Sequence, residues 1–435
     1  MRSGDSEIHR TTLDNGLTIL TRELHHAPVT TFWVWYRVGS RNELPGRTGI
    51  SHWVEHMMFK GTSQFPKGVM DREISRLGGT FNAMTWLDFT AYYATLPADR
   101  IEIAMRIEAD RMVGAAFEPS ETEAERTVIL SELHMYEGYP SFRLAQEVQA
   151  AAFQLHPYHH ETIGWESDLL TMTRDDLFNH YRTYYAPNNA IVVAVGNFQT
   201  GEMVDRVAEI YGSLAPGPAV PPVQFNEPMQ RGERRVTIQG REPTPLLAYA
   251  YKAPAATDPD FWPLAVLDSI LGGAKGASIF GGGGSSRTSR LYRRLVDGGL
   301  AVSASSGLLP TIDPYLYSVD VMVLPATDRD ELERVINEEI SRFQEQPVTE
   351  EELARAKKQT RAHYAFGLDS MSNQGRWLGL SSIVATTDWF VNYLDSLEAV
   401  TASQVQSVAQ RYLVPTKRTV GWYIPENGAN NGSGQ

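Results

Sequence analysis

The chain has 435 residues and a formal net charge of −13, from 39 Lys and Arg against 52 Asp and Glu. That length exceeds one ordinary hydrophobic core and implies two or more domains. The acidic balance, with no concentrated basic patch, argues against a nucleic-acid partner, whose phosphates would be repelled. The absence of Cys removes disulfides, thiolate metal ligands and Cys nucleophiles together. No apolar run approaches a membrane span and Met1–Arg10 has no signal-peptide core, so the expectation is a cytoplasmic protein with no membrane partner.

In chain order, Asn15-Gly16 within Thr12–Leu20 suits a tight hairpin turn, and Thr31 to Val38 reads as a hydrophobic strand. The segment Gly49-Ile-Ser-His52-Trp-Val-Glu55-His56-Met-Met-Phe59 follows. On a helix at about 100° per residue, positions four apart differ by about 40°, so His52 and His56 can reach one metal ion from one face. Glu55 can sit beside that ion without ligating it, as a general base must. The order H-x-x-E-H is the inverted zinc-peptidase pattern. The flanking Trp53, Val54, Met57, Met58 and Phe59 make the helix otherwise apolar, and two imidazoles and a carboxylate buried there need partners.

Catalytic zinc usually has three protein ligands plus water, so a third ligand must come from elsewhere. The acidic stretch Glu118 to Glu137 has Pro119-Ser120 as a helix start, with Glu125 and Glu132 seven apart on one face. One could bind metal and the other could orient a metal-binding group.

An internal repeat follows. Thr173-Arg-Asp-Asp-Leu177 with Tyr184-Tyr-Ala-Pro187 recurs as Thr401-Ala-Ser-Gln-Val405 with Tyr412-Leu-Val-Pro415, each landmark 228 positions on. Each Thr is a suitable helix cap, and each Pro precedes a β-rich run, Ile191 to Val195 and Thr419 to Ile424. Between the copies, residues 216–228 hold five prolines, an extended, semi-rigid linker. The division expected is 1–215, linker 216–232, 233–427 and a disordered tail 428–435. Strands such as Leu246 to Tyr251 mixed with amphipathic helices such as Arg329 to Phe343, without regular βαβ alternation, give two homologous α+β halves. Each half would hold a largely antiparallel sheet with helices packed on it. The helix Asp260 to Leu271 stands where H-W-V-E-H stands in the first half and has no His, so one metal per chain is expected. Residues 272–284 are glycine-rich, but Lys275 is followed by Gly276, which fails the phosphate-loop pattern.

The chain resembles the pitrilysin-type (M16) zinc metallopeptidases, the group containing insulin-degrading enzyme, the mitochondrial processing peptidase and bacterial two-subunit relatives. The family motif is H-x-x-E-H followed by a Glu 76 positions after the second His, which is Glu132 here; the family's further acidic residue falls on Glu125. Gly78 to Tyr93, G-G-T-F-N-A-M-T-W-L-D-F-T-A-Y-Y, is similar to the family's active-site edge strand, and His156-Pro157-Tyr158 and Gly164-Trp165 match further landmarks. The resemblance implies Zn²⁺ on His52, His56 and Glu132, with Glu55 as base and Glu125 in support. It also implies two halves facing one another around a chamber, and a peptide substrate added as an edge strand near Asn82–Thr85. Relatives that complete the site in the second half carry an Arg and a Tyr seven apart. In Ser289 to Val302, Val302 stands where the Tyr would be, and no Arg from 287 to 294 has a Tyr seven residues on. The chain therefore reads as the zinc-bearing subunit of a heterodimeric endopeptidase, whose homologous partner carries the Arg/Tyr pair. The competing reading is a zinc-holding peptide-binding or structural subunit with little activity of its own.

Overall fold

The computed structural model describes residues 7–275 and 287–426. Most of the glycine-rich stretch, from 276 on, and the tail at 428–435 lie outside the described residues. The chain divides into two compact units, one of Met1–Leu133, His160–Phe225 and Leu368–Thr387, the other of His134–His159, Asn226–Gly367 and Asp388–Gln435.

The first unit holds a six-stranded sheet built from β1 (Ile8–Thr12), β2 (Thr18–Glu23), β3 (Val29–Tyr36), β4 (Thr80–Thr85), β5 (Thr90–Pro97) and β6 (Ala190–Gly196), in the order β1-β2-β6-β3-β5-β4. The second holds β7 (Arg234–Gly240), β8 (Leu246–Lys252), β9 (Ala301–Leu308), β10 (Leu316–Val323) and β11 (Arg418–Pro425), in the order β7-β11-β8-β10-β9. Each sheet has one parallel pair, β2 with β6 and β7 with β11; the remaining pairs are antiparallel. The repeat is thus visible in topology, β7-β11-β8-β10-β9 repeating β2-β6-β3-β5-β4. It is also visible in detail, since Thr173 and Thr401 both head a helix with a reciprocal capping box, to Asp176 and Gln404. In each box two otherwise orphaned amides are satisfied by neighbouring side chains.

A division by chain order at 216–232 puts 134–159 in the first half and 368–387 in the second; packing assigns each stretch to the other unit. The reason is coverage of the central strands. Along β3, Phe32 to Tyr36 are essentially without solvent exposure, which needs helices on both faces. Helix Met371–Val384 covers β3 and β6, approaching so closely that Cβ atoms at Gly375 and Gly379 would lie 2.6 Å and 2.1 Å from the Trp33 and Trp35 rings. In the second unit helix Pro140–Ala152 covers β7, β8 and β11, and a Cβ at Gly421 would meet Val148 at 2.2 Å. In both sheets a glycine makes the room that local sequence pattern alone does not announce.

The linker ends tethered. Glu227 accepts the backbone N–H groups of Gln154, Leu155 and His156 at 2.8–3.1 Å, at the end of helix Pro140–Ala152. Beside it lies Lys252 Nζ, 3.5 Å from Glu227 and 3.2 Å from the Phe153 ring centre. Burial pushes the Lys252 ammonium down to about 7 despite the pull of Glu227.

Gly379→Ala should drive the helix off Trp35, costing about 1–3 kcal/mol as overpacking; an unchanged urea midpoint would contradict the close packing. For Lys252, the folded state binds fewer protons than the unfolded chain between about 7 and the ordinary lysine value. Stability should therefore rise with pH across that window and level off above it. Lys252→Met should flatten the rise in a pH series of denaturation curves.

Candidate metal centre

The H-x-x-E-H segment forms helix α1 (Ile50–Met57), entered through Gly49 at φ 86°. A Cβ at Gly49 would lie 2.3 Å from the Ile163 carbonyl oxygen, and one at Gly164, φ 83°, would lie 2.4 Å from the Thr48 carbonyl. The two loops therefore touch backbone to backbone, which only glycine permits in this left-handed region. The Thr48 hydroxyl ties the contact, accepting from Trp165 N–H at 2.9 Å and donating to Asp168 at 2.7 Å. The first amides of a helix have no partner within it; here Gly49 N–H and Ser51 N–H donate to the two oxygens of buried Glu43 at 2.8 and 2.9 Å.

The second acidic contribution comes from helix Pro119–Glu137. Arg126 on that helix stacks over the Trp53 ring of α1 at 4.8 Å, and its guanidinium donates to the carbonyls of Leu169 and Met172. That clamp brings Glu125 and Glu132, two turns apart, against His56 and His52. His52 Nε2 and His56 Nε2 lie 3.2 Å apart, with Glu132 Oε2 at 3.9 and 3.7 Å. Among the described residues this is the cluster whose ligand atoms all fall within 4.8 Å of one another.

Two nitrogens held by one tetrahedral zinc at about 2.0–2.1 Å lie about 3.3 Å apart, close to the spacing found. His56 Nδ1 bonds Glu125 at 2.8 Å, which as a donor leaves the Nε2 lone pair aimed at the gap. His52 Nδ1 is buried without a hydrogen-bond partner. The donor set therefore fits a divalent cation, and carboxylate plus imidazole ligands suit zinc.

The electrostatics follow burial and neighbours. Burial and the adjacent His56 push the His52 imidazole down to about 3, so it is neutral. For His56, burial opposes protonation, but the Glu125 hydrogen bond and the surrounding carboxylates outweigh it and raise the ring. Glu125 is likewise desolvated, yet its bonds to His56 and Lys60 hold it below the usual carboxylate range. Glu55 is raised, by burial first, with the hydrogen bond from Thr85 opposing.

All five residues singled out from sequence, His52, Glu55, His56, Glu125 and Glu132, thus lie around α1 and the helix beside it. Not singled out were Lys60, whose ammonium pairs with Glu125, Glu43, Arg126, and the hydroxyl of Thr85, 2.6 Å from Glu55 Oε2. Lys60 had a faint signal, four residues past His56. The edge position of β4 is observed, since it ends the sheet order. In the second unit, Arg290 is committed to Glu352 through two bonds of 2.9 Å and to Glu339 at 3.1 Å.

A helix bearing two imidazoles and a carboxylate, closed by a second acidic helix, is an arrangement able to hold a divalent cation. Residues 18–165 match Insulinase (Peptidase family M16), and 171–360 match the Peptidase M16 inactive domain. The chain belongs to the M16 peptidase family. It is 30% identical to an uncharacterized zinc protease of Mycobacterium leprae, over 93% of this chain and 89% of that one. It is 29% identical to a probable mitochondrial-processing peptidase subunit beta of Arabidopsis thaliana, over 94% and 76%. Its fold superposes on a protease from Helicobacter pylori with TM-score 0.91 at 26% identity, covering 97% of this chain and all of that one. No helix among the described residues is long and apolar enough to cross a membrane.

Glu125→Ala should weaken metal binding about 10–100-fold, the usual effect of losing a partner that orients a ligand. Competition titration with a zinc chelator measures it, and unchanged affinity would show that His56 needs no such support.

Proposed function

We propose that the chain is a zinc-dependent endopeptidase hydrolysing peptides or unfolded segments, and that it works as the zinc-bearing subunit beside a homologous chain. The observation that carries this reading is the convergence of His52 Nε2, His56 Nε2 and Glu132 with Glu55 on the same helix. His52, His56 and Glu132 would hold the ion. A divalent cation bound there supplies Lewis acidity toward a carbonyl and toward water.

The remaining work belongs to the chain. Glu55, raised by burial, accepts a proton from the attacking water and passes it to the leaving amine. Glu125 keeps the His56 proton on Nδ1, and Lys60 offsets the charge of that carboxylate. The exposed edge of β4 offers backbone groups to an extended peptide at Asn82–Thr85, a strand-addition mode. That mode admits many sequences, because main-chain bonds provide most of the affinity.

The heterodimer part rests on the second unit, where Val302 takes the place of the family's Tyr and Arg290 is engaged with Glu352 and Glu339. The same observation favours the second reading, a peptide-holding subunit with little turnover alone.

Glu55→Gln should retain zinc and lose about 10²–10⁴-fold in turnover, whereas His52→Ala or His56→Ala should lose the metal. Near-native cleavage by the Gln variant would remove Glu55 as base. Cleavage of an unfolded peptide by the purified chain, before and after adding a homologous Arg/Tyr-bearing chain, separates the two readings: stimulation supports the heterodimer, and no cleavage under either condition supports the binding subunit.

A further inference from the structure

The base assignment leaves unexplained how Glu55 is kept in place. A glutamate has three rotatable side-chain bonds, and a base that wanders by an ångström forfeits much of its rate. Among the described residues, Glu55 makes a single side-chain hydrogen bond, Oε2 accepting from Thr85 Oγ1 at 2.6 Å. Oε1 carries none.

Donor counting shows that the bond is committed. Thr85 closes β4 directly opposite Thr90 of β5, and both are buried. The Thr90 hydroxyl spends its proton on the Val38 carbonyl at 2.9 Å. It therefore has no proton for Thr85, which lies 3.4 Å away. The single proton of Thr85 goes to the far closer carboxylate oxygen. Thr85 is itself stiff, being β-branched and sheet-bound.

The second unit contains a similar helix-to-edge-strand contact, two positions along the strand in register, in a different electrical state. Asp268 on helix Phe261–Leu271 accepts from Ser306 Oγ of edge strand β9 at 2.5 Å. Its other oxygen meets the Lys275 ammonium at 2.8 Å, and Lys275 also donates to the Ser306 carbonyl. In both units, then, a carboxylate on the first helix is pinned by a hydroxyl on the edge strand. In the metal-motif unit no Lys or Arg among the described residues pairs with the Glu55 carboxylate.

We infer that Thr85 is the positioning residue of the proposed hydrolysis: it fixes Oε2 of Glu55 and so presents Oε1 to the proton in transit. This rests on the reading of Glu55 as general base. It also ties the base to the strand on which substrate would lie, so that one rigid element sets both.

Thr85→Val, nearly isosteric, removes only the donor; Thr85→Ser keeps it. The expected result for Thr85→Val is a fall in kcat of roughly ten- to a hundredfold, with KM and zinc stoichiometry unchanged and Thr85→Ser recovering most of the turnover. Crystal structures of the two variants should show the Glu55 carboxylate displaced in the Val form and in place in the Ser form. If Thr85→Val turns over within twofold of the unaltered chain while Glu55→Gln is dead, the positioning role is overturned and the base stands. If Glu55→Gln stays active, the base reading has failed instead. The structures then decide Thr85 alone: a displaced carboxylate supports the joint, and an unmoved one overturns it.

Discussion

Two carboxyl groups grip α1 at its two ends, and the geometry of the centre depends on them. Glu43 takes amides at the helix N-terminus, and Glu125 takes His56 Nδ1 near the C-terminus. A helix of eight residues has marginal intrinsic stability, so its axis and rotation are set by what holds its ends and by the apolar face formed by Trp53, Val54 and Met57. With both ends fixed, the one-turn spacing of His52 and His56 becomes a 3.2 Å gap between nitrogens rather than two side chains free to point apart.

The same economy governs the charges around the gap. His52, Glu55 and Glu125 are all desolvated, which alone would neutralise them. Specific partners decide each case: Lys60 and His56 keep Glu125 ionised, while His52, with no carboxylate among the described residues within hydrogen-bond distance, is neutral. Glu55 has the Thr85 hydroxyl and the nearby charges of His56 and Arg111 against burial, and burial still raises it. In the second unit Asp268 makes a similar edge-strand contact but is met by Lys275, a cation carried by the chain itself.

Coverage of the sheets explains an exchange that chain order hides. The central strands of both units are buried on both faces, and the helix that covers one face of each comes from the other part of the chain. Glycines at 375, 379 and 421 allow the approach. Helix propensity and periodicity are local properties; which sheet a helix covers is settled by shape, and nothing in the i, i+3, i+4 pattern of Met371–Val384 encodes Trp33 and Trp35 as its floor.

Much of the centre was legible in the amino-acid order because α-helical geometry is fixed. Residues four apart must share a face, so His52 and His56 could be paired on paper, and Glu125 with Glu132 likewise. The duplication was legible because the capping residues Thr173 and Thr401 and the strands after them recur at constant spacing, and hydrogen-bond chemistry at helix starts tolerates few residue types. The Thr85 hydroxyl, Lys60, Glu43 and Arg126 were not singled out, and neither was the helix exchange. Their partners lie from 6 to 73 positions away in sequence, and a hydroxyl, an ammonium or a carboxyl shows no purpose until folding chooses its neighbour. Sequence determined which side chains could act together on one helix; the tertiary structure decided which distant groups hold them there, because those contacts depend on packing between elements rather than on periodicity within one.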